Sequence, residues 1–255
     1  MMKSFFAELK KRNAALCYFG WLMFLGFIFS FVASFFDSRI ILGINAWIKP
    51  MKFYLSITIM TWTIGWLAWY LKYEKKVKIY SWVLVLAMTI EMIIISFQAA
   101  RGQRSHFNVS SAFNAMLFTI MGISITIFAV WTAYICVLFF MQKEFDISNA
   151  YLLSIKLGLI LFVLFAFEGW VIVGNLGHTI GAADGSPGLP FVNWSKRYGD
   201  LRVAHFFGMH ALQILPLTGY YLARKTSHVI VFAIVYFLFV TILLLLAIGG
   251  IPFIK

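Results

Sequence analysis

The stretch that decides the fold is Val229-Ile-Val-Phe-Ala-Ile-Val-Tyr-Phe-Leu-Phe-Val-Thr-Ile-Leu-Leu-Leu-Leu-Ala-Ile248, a run without a single charge. A helix of about twenty apolar residues reaches across the hydrocarbon core of a bilayer. Inside that core every backbone polar group must be paired within the protein, so such a run predicts a helix rather than an isolated strand. The stretch therefore indicates a protein that crosses a membrane.

The composition of the whole chain agrees with this interpretation. Of its 255 residues, 62% are hydrophobic and only 12% are charged, whereas a soluble domain is about half apolar and about a quarter charged. Further apolar segments of similar length precede the last one. Together the candidate spans lie at about residues 14–36, 51–71, 79–99, 112–140, 150–175, 201–223 and 228–250. The predicted fold is all-α, a single polytopic domain of seven transmembrane helices over residues 1–255.

Basic residues in the short loops predict the orientation, because such loops remain on the cytoplasmic side. They are Lys10, Lys11, Arg12, Lys72, Lys75, Lys76, Lys78, Arg224 and Lys225. We therefore expect the N-terminus in the cytoplasm and the C-terminus outside, in the inner membrane of a bacterium. The net charge of +12 could also indicate a nucleic-acid partner. Because the charges lie between apolar runs, we expect membrane lipid as a partner and no nucleic acid.

The segments predicted to lie outside hold most of the polar side chains. They contain the histidines His106, His178, His205 and His210 and the basic residues Lys49, Lys52, Arg101, Arg104 and Arg202. Histidines from several segments could hold a metal ion or a haem, and arginine recognises phosphate or carboxylate groups. The segment at about 176–200 is rich in glycine and proline but contains Leu189, Phe191 and Trp194. We expect it to pack down as a lid.

Acidic residues supply the remaining candidates. Glu91 and Glu168 fall inside predicted spans, where an ionisable group is costly and marks a functional site by default. Glu91, Gln98 and Arg101 share roughly one helical face, which forms a line from the membrane interior to the outer mouth. Asp200 follows a glycine at the start of a helix, where capping and catalysis are both reasonable roles.

Three segments resemble those of uncharacterised bacterial seven-helix integral membrane proteins. They are Asn45-Ala-Trp-Ile-Lys-Pro-Met-Lys-Phe53, Gln98-Ala-Ala-Arg-Gly-Gln-Arg-Ser-His-Phe-Asn108 and Gly199-Asp-Leu-Arg-Val-Ala-His-Phe-Phe-Gly-Met-His-Ala-Leu-Gln213. A looser likeness is to the zinc hydrolase group of alkaline ceramidases and adiponectin receptors, which share seven spans and a His, Asp and Ser site near one membrane face. The positions that could match are Ser105, His106, Asp200, His205 and His210. The pattern departs from that group, whose paired histidines lie four residues apart rather than five.

Three functions are compatible with these residues. The first is a metal-dependent membrane enzyme, hydrolytic, with zinc held by His106, His178, His205 and His210 and with Asp200, Glu91 and Ser105 in catalysis. Its lipid or amphipathic anionic substrate would be held by Lys49, Lys52, Arg101, Arg104, Arg202, Asn108 and Asn193. The second is a redox protein with haem b and histidine axial ligands, for which His106 and His210 are the pair to test. The third is a transporter or sensor of an anionic solute or of protons.

Overall fold

The computed structural model describes residues 2–254 and is mostly helical. The helices in that range are Met2–Arg12 (α1), Ala14–Phe36 (α2), Ile48–Leu67 (α3), Glu74–Ala100 (α4), Ala112–Met141 (α5), Asn149–Gly174 (α6), Leu201–Tyr221 (α7) and Thr226–Ile248 (α8). Two short antiparallel pairs join Ile40–Ile41 (β1) to Ile44–Asn45 (β2) and Thr179–Ile180 (β3) to Gly199–Asp200 (β4). The predicted all-α class is confirmed.

Within residues 2–254, five helices are long and apolar enough to cross a bilayer. They are α2, α4, α5, α6 and α8. Helices α3 and α7 lie at the two remaining predicted spans, but they carry more polar side chains, such as Lys49 and Lys52 in α3 and His205 and His210 in α7. The apolar helices make the chain an integral membrane protein.

Helix α1 is an element that the apolar pattern did not predict, because it is too short to span a bilayer. Its apolar side packs on α2 and α3: the ring of Phe5 stacks on Trp66 with centroids 5.0 Å apart, and Leu9 is fully buried. The guanidinium of Arg12 lies 3.9 Å from the ring centroid of Trp66 and donates to Glu8 at 2.9 Å. Asn13 then caps α2 by accepting from the backbone N–H of Leu16.

Contacts divide the described chain into two compact units, one up to Trp131 and one from Thr132, so the division falls within α5. In the first unit, α2 packs along α3 and α4 packs on α3. In the second unit, α6 and α7 form the most extensive helix pair, and α8 packs on both. The prediction of a single domain stays a prediction.

The α6–α7 pair is close because small residues lie where the helices cross. A Cβ atom on Gly208 would overlap the ring of Phe165, and one on Gly219 would overlap the hydroxyl of Ser154. Small residues at such crossings let helix backbones approach, which is how helices associate in lipid. This packing brings the polar residues of α6 and α7 within reach of one another.

Replacing Gly208 by alanine should lower the melting temperature of the detergent-solubilised protein. Overpacking a tight crossing costs about 1–3 kcal/mol. Gly122→Ala in α5 is the control, since no described atom lies within 4 Å of an added Cβ there and alanine favours a helix by about 1 kcal/mol. Equal losses of stability in the two variants would contradict this account of the crossing.

Candidate functional site

In the first unit, the connection between α2 and α3 is fixed by Asp37. Its carboxylate accepts from the side chain of Arg39 at 2.5 and 2.9 Å and from the indole N–H of Trp47 at 2.8 Å. The hydrogen bonds from Arg39, with that from Trp47, hold the pKa of Asp37 below its usual range. Arg39 also donates to the backbone carbonyl of Ala100 at 2.6 Å. These bonds position the first turn of α3, where Lys49 and Lys52 lie.

A cluster of buried amide side chains lies at the C-terminal end of α4. The side chain of Gln98 is fully buried and donates to Asn114 of α5 at 3.0 Å and to the carbonyl of Arg104 at 3.3 Å. Its oxygen accepts from Arg101 at 2.9 Å, and Asn108 donates to the same Arg104 carbonyl at 3.0 Å. Arg101 and Asn108, both predicted to hold a substrate, are thus engaged with protein groups that fasten the α4–α5 connection.

Glu91 lies in α4 seven residues before Gln98, about 10 Å further along the helix. It is buried, with 5% of its surface exposed. The ammonium of Lys49 lies 5.8 Å from the ring centroid of Phe53. Of the predicted line, Gln98 and Arg101 are in direct contact, and Glu91 lies buried further along the same helix.

His106 lies among aromatic rings in the first unit. Its ring centroid is 5.7 Å from that of Phe53 and 6.2 Å from that of Phe118. Nδ1 of His106 is 3.1 Å from the hydroxyl oxygen of the buried Ser105. Ser105 and His106, which the sequence grouped as catalytic and metal-binding, therefore contact each other.

In the second unit, Glu168 of α6 contacts His205 of α7. Oε2 of Glu168 lies 3.0 Å from Nδ1 of His205. The carboxylate is buried, with 5% of its side chain exposed, whereas 26% of the imidazole is exposed. Gly169 leaves room for the ring, since a Cβ there would lie 3.2 Å from Cε1 of His205. Oε1 of Glu168 is buried and has no hydrogen-bond partner among residues 2–254.

Asp200 is buried at the start of α7, where it contacts both the helix and the connection that precedes it. It caps that helix through the backbone N–H of Arg202 at 3.1 Å and binds the Arg202 guanidinium at 2.9 and 2.5 Å. It also accepts from the backbone N–H of Ser195 at 2.9 Å, and Arg202 donates onward to the carbonyl of Asn193 at 2.5 Å. Of its two expected roles, these bonds favour capping, because they fill the acceptor sites of the carboxylate.

His178 and Asp184 contact each other in the part of the α6–α7 connection that follows α6. Oδ2 of Asp184 lies 2.5 Å from Nδ1 of His178, and the carboxylate accepts from the backbone N–H groups of His178 and Thr179. Burial alone would raise the pKa of Asp184, but the hydrogen bonds and charge of His178 lower it below the usual range. The connection also packs on α7 through Trp194, whose ring centroid is 5.5 Å from that of Phe206. Its role as a lid stays a prediction.

The three histidines of the second unit that were predicted to bind metal have separate partners. His178 contacts Asp184, His205 contacts Glu168, and Nδ1 of His210 lies 3.1 Å from Oε1 of Gln213 on the same helix. Among residues 2–254, no three His, Cys, Asp or Glu side chains form a group that could hold a metal ion. Zinc and haem b therefore stay predictions.

Two features of these sites were not predicted from the sequence. Asn114 was not singled out, although an amide in an otherwise apolar span is a signal of a buried polar contact. The pairing of Glu168 with His205 was not predicted either, because it depends on how α6 and α7 pack.

Asp200→Asn should loosen the connection between α6 and α7. Replacing the charge weakens hydrogen bonds worth about 1.5–3 kcal/mol, so trypsin should cleave faster after the exposed Lys196 and Arg197. Cleavage is followed by mass spectrometry of the detergent-solubilised protein. Asp146→Asn, an exposed carboxylate in the α5–α6 connection, should cleave like the wild type. Equal cleavage of all three proteins would refute the anchoring role.

The amide protons of His178 and Thr179 should be strongly protected at neutral pH and less protected in strong acid, where protection is the exchange rate relative to that of the unfolded chain at the same pH. A carboxylate with a lowered pKa stabilises the fold above the unfolded value of about 3.9 and loses this contribution as the pH falls through its lower folded pKa. Asp184→Asn should show fast exchange already at neutral pH. Leu189 and Asn193 serve as controls, because their N–H groups bond backbone carbonyls. No difference between the variant and the wild type at neutral pH would contradict this.

Comparison of the chain with protein-family models, curated proteins and solved structures finds no match. The observations that bear on function are therefore the hydrogen bonds that the buried polar groups make or lack. Asp200 and Gln98 are fully engaged with protein partners, as structural groups are. Glu168 is engaged through one oxygen only, which sets it apart.

Proposed function

We propose that this chain is a membrane protein of seven spans, α2 to α8, that transports or senses protons through buried carboxylates. The observation that carries the proposal is the contact of Glu168 with His205, in which one carboxylate oxygen is buried without a partner. Ionisable groups inside membrane helices are rare, pair with one another and mark proton relays. The third function expected from the sequence is thus the one that these contacts support best.

The chemistry of the pair suits proton exchange. Imidazole is the side chain whose charge changes in the physiological pH range. A carboxylate beside a neutral imidazole can take up one proton and become an ion pair, so the charge of the pair changes from −1 to 0 while the hydrogen bond is kept. Oε1 of Glu168 is buried and engages no other group among residues 2–254, so Oε2 alone contacts the imidazole.

The position of the pair supports access from one side. Glu168 lies six residues before the end of α6, about 9 Å along its axis, and His205 lies in the second turn of α7. Both are therefore close to the α6–α7 connection, which is predicted to face outward. The imidazole is partly exposed, and in this proposal it passes protons between that side and the buried carboxylate.

Glu91 supports the proposal from the first unit. It is a second buried carboxylate in a span. Glu91 lies well inside α4, and an ionisable group within a span is a candidate for a proton relay. The proposal does not require a particular solute to move with the proton.

Glu168→Gln should abolish proton exchange at the pair, because an amide cannot take up the proton. Two measurements test this on the full chain in liposomes: infrared difference spectra between acid and neutral pH, and acid-driven proton uptake reported by an enclosed dye. The variant should lose a carboxyl band and fall to the uptake of protein-free liposomes. His205→Asn should shift that band.

Glu74→Gln is the matched control, since Glu74 is an exposed carboxylate in the first turn of α4. It should keep both the band and the uptake. Circular dichroism and melting temperatures show whether each variant is folded. A folded Glu168→Gln protein with the spectrum and proton uptake of the wild type would refute the proposal.

A further inference from the structure

One end of the first unit collects basic side chains from two separate segments. They are Lys10 and Lys11 of α1 and Lys72, Lys75, Lys76 and Lys78 around the start of α4, here called the basic end. The segments meet through Arg12, whose guanidinium lies 5.2 Å from the ring centroid of Tyr70, and through Asn13, which donates to Ser81 of α4 at 2.8 Å. The fold thus joins two short basic runs into one surface.

The basic end carries more lysines than acidic residues. Lys10, Lys11, Lys75 and Lys78 are exposed. In the segments 4–13 and 68–80 the only acidic residues are Glu8 and Glu74, and Glu8 is engaged with Arg12 at 2.9 Å. The surface is therefore strongly positive, and an anionic partner would be attracted to it.

The basic end lies beside the ends of two apolar helices, which places it at the level of the lipid headgroups. Helices α2 and α4, both able to span a bilayer, begin at Ala14 and Glu74, next to these lysines. Exposed Trp69 and Trp82, with 48% and 58% of their surfaces exposed, lie at the same end. Tryptophan is enriched at the membrane–water interface, where long lysine side chains also reach the headgroups.

Helix α1 is held so that its lysines face the same interface. The Phe5–Trp66 stack and the buried Leu9 fix its apolar side against α2 and α3. The ammonium of Lys10 lies 5.4 Å from the ring centroid of Tyr18. An amphipathic helix with a basic end, seated in this way, is typical of helices that bind anionic lipids at the bilayer surface.

We propose that the basic end is a binding site for anionic lipid headgroups of the leaflet in which it lies. Clusters of lysines beside a membrane helix attract acidic lipids, and here the two segments are already fixed together before a lipid binds. The site binds phosphodiester headgroups such as that of phosphatidylglycerol in preference to zwitterionic ones. This inference depends on the spans of α2 and α4 and not on proton exchange at Glu168.

The test compares the full chain with a variant that carries Lys10→Gln, Lys11→Gln, Lys75→Gln and Lys78→Gln. Each detergent-solubilised protein is titrated with phosphatidylglycerol or phosphatidylcholine, and binding is followed by native mass spectrometry and melting temperature. The wild type should retain phosphatidylglycerol preferentially, and the variant should bind it at least about tenfold more weakly. Added salt should weaken the preference of the wild type, because charge attraction is screened.

The matched control carries Arg224→Gln and Lys225→Gln, a basic pair in the short α7–α8 loop that is exposed and lies in the second unit. It should keep the phosphatidylglycerol preference. The idea fails if the wild type shows no preference, if the control loses as much as the fourfold variant, or if the lysines bind RNA but no acidic lipid. A second variant with Lys75→Gln and Lys78→Gln alone should show an intermediate loss, which separates binding from misfolding.

Discussion

A polar group inside a bilayer has no water to bind, so it must find its partner within the protein. This constraint explains most of the specific contacts in the chain. Gln98 reaches Asn114 and Arg101, Asn13 reaches Ser81, and the hydroxyl of Ser30 returns to a carbonyl of its own helix. Each such contact fixes the position of one helix or connection relative to another. These polar contacts add fixed positions to the packing of the apolar helix surfaces.

The number of hydrogen bonds that a buried carboxylate accepts distinguishes a structural carboxylate from a candidate functional one in this chain. Asp200 accepts four hydrogen bonds from Ser195 and Arg202, and its charge is needed for capping and anchoring. Glu168 has one partner, His205, and a buried oxygen without a partner. A buried oxygen without a hydrogen-bond partner lowers the stability of the fold. Its presence in a protein therefore calls for an explanation such as a functional role. That contrast, rather than the residue type, makes Glu168 the candidate for proton exchange.

Arginines and lysines use their charges differently in this chain. On the side predicted to be outer, arginines are engaged: Arg39 with Asp37, Arg101 with Gln98 and Arg202 with Asp200. Their planar guanidinium groups hold connections in place. At the basic end of the first unit, lysines project from a fixed platform of α1 and the start of α4. Lysine is a flexible point charge, which suits a fluid headgroup layer better than a rigid joint.

The sequence by itself determined the all-α class, the membrane character and the approximate limits of α2 to α8, because the length and apolarity of a segment decide whether it can form a helix in lipid. It also indicated that Asp200 could cap α7 and that Gln98 and Arg101 share a face. Only the tertiary structure decided which histidine meets which carboxylate. His205 reaches Glu168 because Gly208 and Gly219 let α6 and α7 approach closely, and His210, five residues later, points to Gln213 instead. Helix packing decides which residues far apart in the chain come into contact. The spacing of residues along one helix does not encode that packing.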